Sequence, residues 1–577
     1  MKNALKVLRY TKPHMFFIIS AVICAFISVS FTLYIPVLVG NAIDVMLGKG
    51  RVDMAEVTSV CVKIGVCVGV IAVFQWLMTQ SASVVSARTV RDMRGDVFRK
   101  FNTVPLSDID SHPHGDLISR IINDVDAVGD GLSQVILQFL SGIVTIIGTL
   151  IFMLSINIWI ALVVVVLTPL SVLVAAVIGR MCARSFREQQ ELQGEISSYV
   201  EETVGNQKLV KAFAYESRSE AGFEKKNQRL FKVGLRAQFA GALANPCTRF
   251  VNNMVYAVTG IVGALTVISS FMGALSIGQL SCFLTYANQY TKPFNEVTGV
   301  LTQIETALAA AGRVFEIIES ADEPSDKSSL DVKSADGNVE FKNVRFSYNP
   351  GRELIKDFSL RVKSGRQVAI VGPTGCGKTT LINLLMRFYE VDGGGIYIDG
   401  VNVADMKRDS LRSLFGMVLQ DSWLFSGTIM ENLRYANPSA SDEEIIEAAK
   451  MSYAHSFIRR MPDGYNTQIS ENGSNLSQGQ RQLLCIARVM AMNPPMLILD
   501  EATSSIDTLT EVRVQKAFRK LMRGRTSFVV AHRLSTIRES DMILVMKDGD
   551  IIEQGTHEEL IGKKGFYFEL YNSQFAR

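Results

Sequence analysis

At 577 residues the chain is too long for one domain and points to two or three. Hydrophobic residues make up 48% and charged residues 20%, a mixture that fits a membrane part joined to a soluble part better than either alone. The formal net charge of +3 gives no surplus of cations for nucleic acid. Eight cysteines are scattered with no pair at metal-ligand spacing, as expected of small apolar residues in a reducing compartment.

The chain opens with Lys2, Lys6, Arg9 and Lys12 ahead of an uncharged run over 15–43. A secretory signal shares that charge order, but its apolar segment is only about 7–15 residues long, so the run reads as a retained membrane helix. Further uncharged runs cover 64–87, 131–179 and 250–291. About 20 residues cross a bilayer. The first two runs therefore hold one helix each and the last two hold two each, turning near Ser155-Ile156-Asn157 and around 269–276. The expectation is a membrane domain over 1–320 with six spans, at about 15–40, 60–84, 132–154, 158–179, 250–270 and 277–299.

Orientation follows from the basic residues. Segments 88–130 and 180–249 carry six and twelve Lys or Arg, whereas the short turns carry none and the 44–63 loop carries three basic and three acidic residues. Both termini are thus expected in the cytoplasm. The two basic segments show helical spacing at Ile118, Ile121, Ile122 and Val125, and at Leu209, Val210 and Phe213. Helices of that length run beyond the membrane and are expected to contact a second domain.

Composition changes after residue 320. The stretch 321–338 is polar and acidic with no apolar face and reads as a linker. From 339 to 577, β-like runs at 339–346, 367–371, 496–499, 527–531 and 542–546 alternate with helical ones, which predicts an α/β sheet with crossover helices.

Within that domain, Gly372-Pro373-Thr374-Gly375-Cys376-Gly377-Lys378-Thr379 fits the phosphate-binding loop at every fixed position, between an expected strand at 367–371 and an expected helix at 379–388. Glycines let backbone amides curl around phosphate oxygens, and the helix that follows adds its positive end. Lys378 reaches the terminal phosphates, the Thr379 hydroxyl suits magnesium, and Thr380 continues the first turn of the helix. The apolar run 496–499 ends in Asp500 and Glu501, which places two carboxylates at the carboxyl edge of a sheet, where open α/β sheets bind ligands. Asp500 is expected to hold magnesium and Glu501 to polarise or deprotonate the attacking water, a role worth about 10²–10⁴ in rate. A helix-capping role for the two acids is the plainer alternative.

These residues resemble the ATP-binding cassette (ABC) transporters, and the resemblance covers nearly the whole chain. Leu476-Ser477-Gln478-Gly479-Gln480 is similar to the family signature Leu-Ser-Gly-Gly-Gln. The resemblance implies that Tyr348 stacks on adenine, that Gln420 touches magnesium and senses the membrane domain, that His532 contacts the γ-phosphate, and that Ser504-Ser505-Ile506-Asp507 crosses to a partner domain. It also implies that Ser477, Gly479 and Gln480 face the nucleotide of the partner subunit. The six expected spans before one nucleotide domain, with long intracellular helices, resemble the exporter branch. Gly115, Ser119-Arg120 and Asn123-Asp124-Val125 are similar to its first intracellular loop. Short coupling helices are then expected near 107–112 and 214–219, the second inserting into the opposite subunit. With apolar helices starting so early, no amino-terminal peptidase domain is expected.

Three positions depart from the family pattern: Gln478 stands for the first signature glycine, Asn472 for a frequent arginine, and Ser505-Ile506 for Ala-Leu. This chain's own nucleotide half is nevertheless complete. The asymmetry resembles the catalytically intact subunit of heterodimeric bacterial multidrug exporters. The implied function is ATP-driven export of lipophilic compounds by alternating access, with ATP and Mg²⁺ bound, a second half-transporter as partner, and a bacterial cytoplasmic membrane as location. A homodimeric lipid or lipopeptide flippase and an ATP-gated channel or sensor are the alternatives. An importer subunit fits poorly, since importers usually carry the two domains on separate chains. Asn252, Asn253, Asn288, Gln289, Gln75 and Gln138 could line a substrate cavity or equally join helices.

Overall fold

The computed structural model describes residues 2–46, 54–269, 275–324, 326, 330–349, 351, 353–419, 422–470, 473–500, 506–530 and 534–574. The chain separates into two compact units, Met1–Thr103 with His112–Ser320, and Val104–Ser111 with Ala321–Arg577.

The first unit is helical. Apolar runs with no water to bond must satisfy their own backbone, and helices do so within one segment. The uncharged runs fall on helices Met15–Met46, Met54–Phe101, Ile158–Gly205, Glu216–Ser269 and Ile277–Ile318, and on the helical run His114–Ile156. Among the described residues, Lys2–Met46, Met54–Phe101, His114–Ile156 and Glu216–Ile268 are long and apolar enough to cross a membrane, and Ile158–Leu170 is a shorter apolar stretch. Helix Ile277–Ile318 carries Gln279, Asn288, Gln289 and Lys292, which lower its hydropathy.

The turn expected near Asn157 is there. Asn157 is extended, and its side chain accepts hydrogen bonds from the amides of Trp159 and Ile160 at 3.0 and 3.2 Å, capping the next helix. Ser276 and Gln279 form a reciprocal capping box at the start of Ile277–Ile318. Asp44 accepts from the Ser276 hydroxyl and the Gly278 amide at 2.5 and 2.7 Å, fastening that start to the first membrane helix. The two backbones touch there: a Cβ on Gly278 would lie 2.0 Å from the Gly40 carbonyl oxygen.

The helical spacing at Ile118, Ile121, Ile122 and Val125 falls on helix, but it does not mark the inner face: Ile118 and Ile122 are exposed at 57% and 49%, while Leu117, Arg120, Asp124, Val125 and Val128 are buried. The inner face is partly ionic. Arg120 Nη1 donates to Glu316 at 2.7 Å, and Arg313 forks onto Asp124 at 2.7 and 2.5 Å. A hydrophobic count cannot see such a face. The segment Arg120–Asp124 is also a single π-helical turn, which shifts the phase of everything before it.

The second unit holds two larger sheets. We number its strands β1 (Val339–Phe346), β2 (Ile355–Val362), β3 (Gln367–Val371), β4 (Gly393–Ile398), β5 (Val401–Asn402), β6 (Phe415–Val418), β7 (Gly427–Thr428), β8 (Gln468–Ile469), β9 (Met496–Asp500), β10 (Thr526–Val530), β11 (Met542–Lys547) and β12 (Asp550–Gly555). One sheet is antiparallel in the order β2-β1-β4-β5. The other runs β12-β11-β3-β10-β9-β6, parallel except for β12. Its strands are buried on both faces. Ala369, Val371, Leu497, Leu499 and Val529 enter one apolar cluster, while the alternating Val368, Ile370, Met496, Ile498 and Phe528 enter the other.

The stretch expected as a linker is pinned to this unit. Asp326 accepts from the buried Arg408 at 2.6 Å, the Ser410 hydroxyl donates to Asp331 at 2.6 Å, and Leu330 bridges to Met406. Its acidic residues thus serve as anchors. Eight residues from far upstream join the same unit. In Val104–Ser111, which contains the short helix Leu106–Asp110, Asp110 accepts a hydrogen bond from Tyr389 Oη at 2.6 Å.

The Gly40–Gly278 contact makes a clear prediction. Gly278→Leu should cost about 1–3 kcal/mol by overpacking, read as a lower denaturation temperature of the purified chain. Gly65→Ala, where an added Cβ meets nothing within 4 Å, should leave it unchanged or slightly higher.

Candidate functional site: a phosphate loop and a helix-capping signature

β3 leads directly into the glycine-rich loop. Gly375 and Gly377 have φ of 83° and 103°, conformations that L side chains rarely adopt, so the loop needs glycine there. Gly372, also at positive φ (155°), is constrained by space as well: a Cβ would lie 2.2 Å from the Met546 carbonyl oxygen of β11. Lys378 Nζ donates to the Gly372 and Pro373 carbonyls at 2.8 and 2.9 Å, so its cation lies across the loop. The helix Lys378–Leu385 starts here, three residues shorter at its far end than expected. Thr374 is exposed and Cys376 buried, while Thr379 is exposed in the first turn and Thr380 is buried at 5%. Thr380 therefore offers a ligand its backbone amide, while Thr379 offers a hydroxyl. The glycine-rich backbone and the positive helix end suit this loop to a polyphosphate.

Tyr348 is placed by three neighbours. Its ring packs edge-on against Phe346 and Tyr389, with centroids 4.8 and 5.0 Å apart, and Asn383 of the loop's helix donates to its hydroxyl at 3.2 Å. It remains 43% exposed, leaving ring surface for a flat ligand. Tyr389 in turn donates to Asp110, and burial, aided by that carboxylate, raises its phenol above the ordinary range.

Asp500 ends β9 with its side chain half-buried at the carboxyl edge. Val530 of β10 pairs with both Asp500 and Ile370, so Asp500 stands level with the end of β3, two strand spacings or about 10 Å across the edge. The carboxylate and the phosphate loop thus share one edge. Gln420, Glu501 and His532, and with them Asn472, Ser504 and Ser505, lie outside the described residues.

The signature segment is a helix start. Ser477 caps Gln478–Met492: its hydroxyl accepts from the Gln480 amide at 3.3 Å, and the Gln480 side chain accepts from the Ser477 amide at 2.9 Å. Gly479 is buried, and a Cβ there would lie 2.3 Å from Thr510 and 3.0 Å from Ile506. Its glycine is required inside the unit, by close packing against helix Thr508–Met522. That leaves the exposed Ser477 and the half-buried Gln478 as the outward part of the motif.

Sequence reasoning missed Asn383 and the Tyr389–Asp110 bond, which joins residues 279 positions apart without any motif. It also missed an aromatic patch just after Gln420, where Trp423 and Phe425 lie 4.0 Å apart, Phe425 and Tyr435 4.3 Å apart, and Arg488 covers the last two. Trp423 and Tyr435 are more than half exposed. Of the polar residues considered for a membrane cavity, Gln75 accepts from Ser28 at 3.3 Å and joins two helices.

Two substitutions test this arrangement. Lys378→Ala should weaken binding of a fluorescent ATP analogue and cut turnover by about 10² or more. Tyr389→Phe keeps the ring beside Tyr348 but removes a bond to a carboxylate, at about 1.5 kcal/mol. It should speed hydrogen exchange over 104–111 and leave analogue binding unchanged.

The chain is similar to known proteins along most of its length. Residues 17–294 match the family model of the ABC transporter transmembrane region, and residues 355–504 match that of the ABC transporter. A fatty acid ABC transporter ATP-binding/permease protein of Mycobacterium tuberculosis is 40% identical over 86% of this chain and 78% of its own length. An ATP-dependent lipid A-core flippase of Syntrophus aciditrophicus is 33% identical over 99% of this chain and 94% of its own. Among solved structures, a bacterial Atm1-family ABC exporter with ATP bound superposes with a TM-score of 0.79 at 30% identity, covering 97% of this chain and 98% of that one.

Proposed function

The chain belongs to the ABC transporter family, and on that footing we propose that it exports lipophilic and amphipathic compounds of the multidrug type, as one half of a heterodimer in a bacterial cytoplasmic membrane. It is a multi-pass membrane protein whose second domain hydrolyses ATP to drive transport. The basic segments put both termini and the ATPase domain on the cytoplasmic side.

In this reading the membrane domain covers 1–320 and the nucleotide domain 339–577, joined through 321–338. Tyr348 stacks on the adenine, while the amides of Gly372 and of 374–380 and the Lys378 ammonium hold the phosphates. Thr379, Asp500 and Gln420 offer the hard oxygen donors that Mg²⁺ prefers, and the bound ion supplies charge neutralisation on the terminal phosphates. Glu501 orients or deprotonates the water, and His532 steadies the γ-phosphate. Ser477 with its helix start, Gly479 and Gln480 serve the nucleotide held by the partner. ATP shifts the pair toward a closed state because it binds that state better. The coupling segments carry closure to the membrane helices. Exposure of Leu209, Phe213 and Tyr215 at 56%, 76% and 47% supports the second of these docking on another subunit.

The observation that carries the heterodimer is Gln478. With Gly479 turned inward and Gln480 engaged in the cap, the outward part of the signature is Ser477 and Gln478, so a long amide stands beside the serine where the family has its first glycine. This chain's own nucleotide half carries every expected residue type. One active and one impaired ATP site follow. A second reading, a homodimeric lipid exporter, draws on the similarity to a fatty acid transporter and a lipid A-core flippase.

The deciding measurement is ATP turnover by the chain alone in lipid, beside Glu501→Gln. Negligible turnover, restored by co-expression with a second half-transporter and abolished by Glu501→Gln, is the expected result. Strong Glu501-dependent turnover from the chain alone would establish a homodimer and overturn the pairing. Stimulation of turnover by fatty acids but not by lipophilic cations would favour the second reading.

A further inference from the structure

The first helix, Lys2–Thr11, lies against the membrane unit in a fixed rotation. Asn3 donates to the Leu308 carbonyl at 3.3 Å, Lys6 meets Glu319 at 2.6 Å, and Tyr10 donates to Asp96 at 2.7 Å. With those residues turned inward, two other faces are set. Ala4 and Leu8 close one side of an apolar groove of about 200 Å³, whose walls are Leu132 and Val135 on one helical run and Ile304 and Leu308 on another. Its floor is a helix contact that cannot close further, since a Cβ on Gly131 would lie 2.3 Å from Ala307. The second face carries Lys2, Leu5, Arg9 and Lys12 at helical spacing. Leu5 and Leu8, exposed at 66% and 55%, lie between the groove and the cations. Lys2, Arg9 and Lys12 are exposed and none is ion-paired with a described residue; Arg9 also borders a second pocket whose lining includes Asp92, Asp96 and Glu319.

The groove sits where apolar runs begin or have ended. Residues 4–8 precede the run 15–43, 132–135 open the run 131–179, and 304–308 follow the run 250–291. Only 132–135 touch an apolar run, while 4–8 stop seven residues short of one and 304–308 begin 13 residues, about 20 Å of helix, beyond another, so the groove lies on the flank of the apolar stretches, at or beyond their water boundary. A greasy slot at this depth, with bare cations one helix face away and exposed leucines between, matches a molecule with an acyl chain and an anionic head.

We propose that this groove is a binding site for an anionic phospholipid, one acyl chain between Leu132 and Leu308 and the headgroup phosphate on Lys2, Arg9 and Lys12. The site holds the first helix, and through Lys6–Glu319 the end of helix Ile277–Ile318, to the bilayer. It rests only on membrane insertion, so it stands whatever the exported compound and however the subunits pair.

The test is native mass spectrometry of the purified full-length chain titrated with phosphatidylglycerol or phosphatidylcholine. The wild type should retain phosphatidylglycerol preferentially, with occupancy falling about fivefold for each cation removed. The triple variant Lys2→Gln, Arg9→Gln, Lys12→Gln should bind the two lipids equally, and Ala4→Phe should reduce both by filling the groove. Unchanged binding of a fluorescent ATP analogue reports that each variant is folded. Equal retention of the two lipids by the wild type would overturn the proposal, as would a triple variant that keeps its preference. Undiminished phosphatidylglycerol binding by Ala4→Phe would overturn the groove as the acyl site.

Discussion

Parallel strands buried on both faces have no room for polar side chains along their length, and the nucleotide domain is organised around that constraint. β11, β3, β10, β9 and β6 are in register, and their residues feed two apolar clusters alternately. Polar groups are admitted where the strands stop. The phosphate loop leaves the end of β3 and Asp500 ends β9, level with each other through their shared neighbour Val530. The phosphate loop and the Asp500 carboxylate thus share an edge whose geometry is set by hydrophobic packing and backbone hydrogen bonds. The antiparallel sheet contributes Tyr348 from the residues after β1, locked by Phe346, Tyr389 and Asn383.

The membrane unit answers a different constraint, the absence of water in the bilayer. Its helices are punctuated by local devices: Asn157 as a cap, the Ser276–Gln279 box, and the Asp44 carboxylate on the start of the last helix. Away from the apolar runs the packing turns ionic, with Arg120 on Glu316 and Arg313 on Asp124. Such paired, half-buried charges fix orientation more than they add stability. They bind the helical run after the Val104–Ser111 segment to the helix that leads toward the nucleotide domain.

Much of this was legible in the chain, for physical reasons. Uncharged runs reveal membrane helices because a charge at bilayer depth is costly. β3, β9, β10 and β11 show as short apolar runs and β1 by its alternation of apolar and polar residues, whereas β2 (Ile355–Val362), which alternates less regularly, and β4 (Gly393–Ile398), which starts with three glycines, were not read. The phosphate loop is readable because its glycines serve backbone geometry that no other residue supplies. The inward face at Arg120 and Asp124 was not, because its partners are nearly two hundred residues away. Nor did the motif reveal that Gly479 is held by Thr510 and Ile506: the signature shows which residue is needed, and only the packing shows why.

The path of the chain also bears on what counts as a separable piece. Because Val104–Ser111 belongs with the nucleotide unit, the polypeptide passes from one unit to the other three times, at 103–104, 111–112 and 320–321. Cutting at residue 320 therefore does not yield two independent parts. The amino-terminal product would carry away a helix whose hydrogen-bond acceptor, Asp110, belongs against Tyr389, and the carboxyl-terminal product would expose the seat that helix fills. The two products would have complementary surfaces, and a split gene would encode fragments able to find each other through that one short plug.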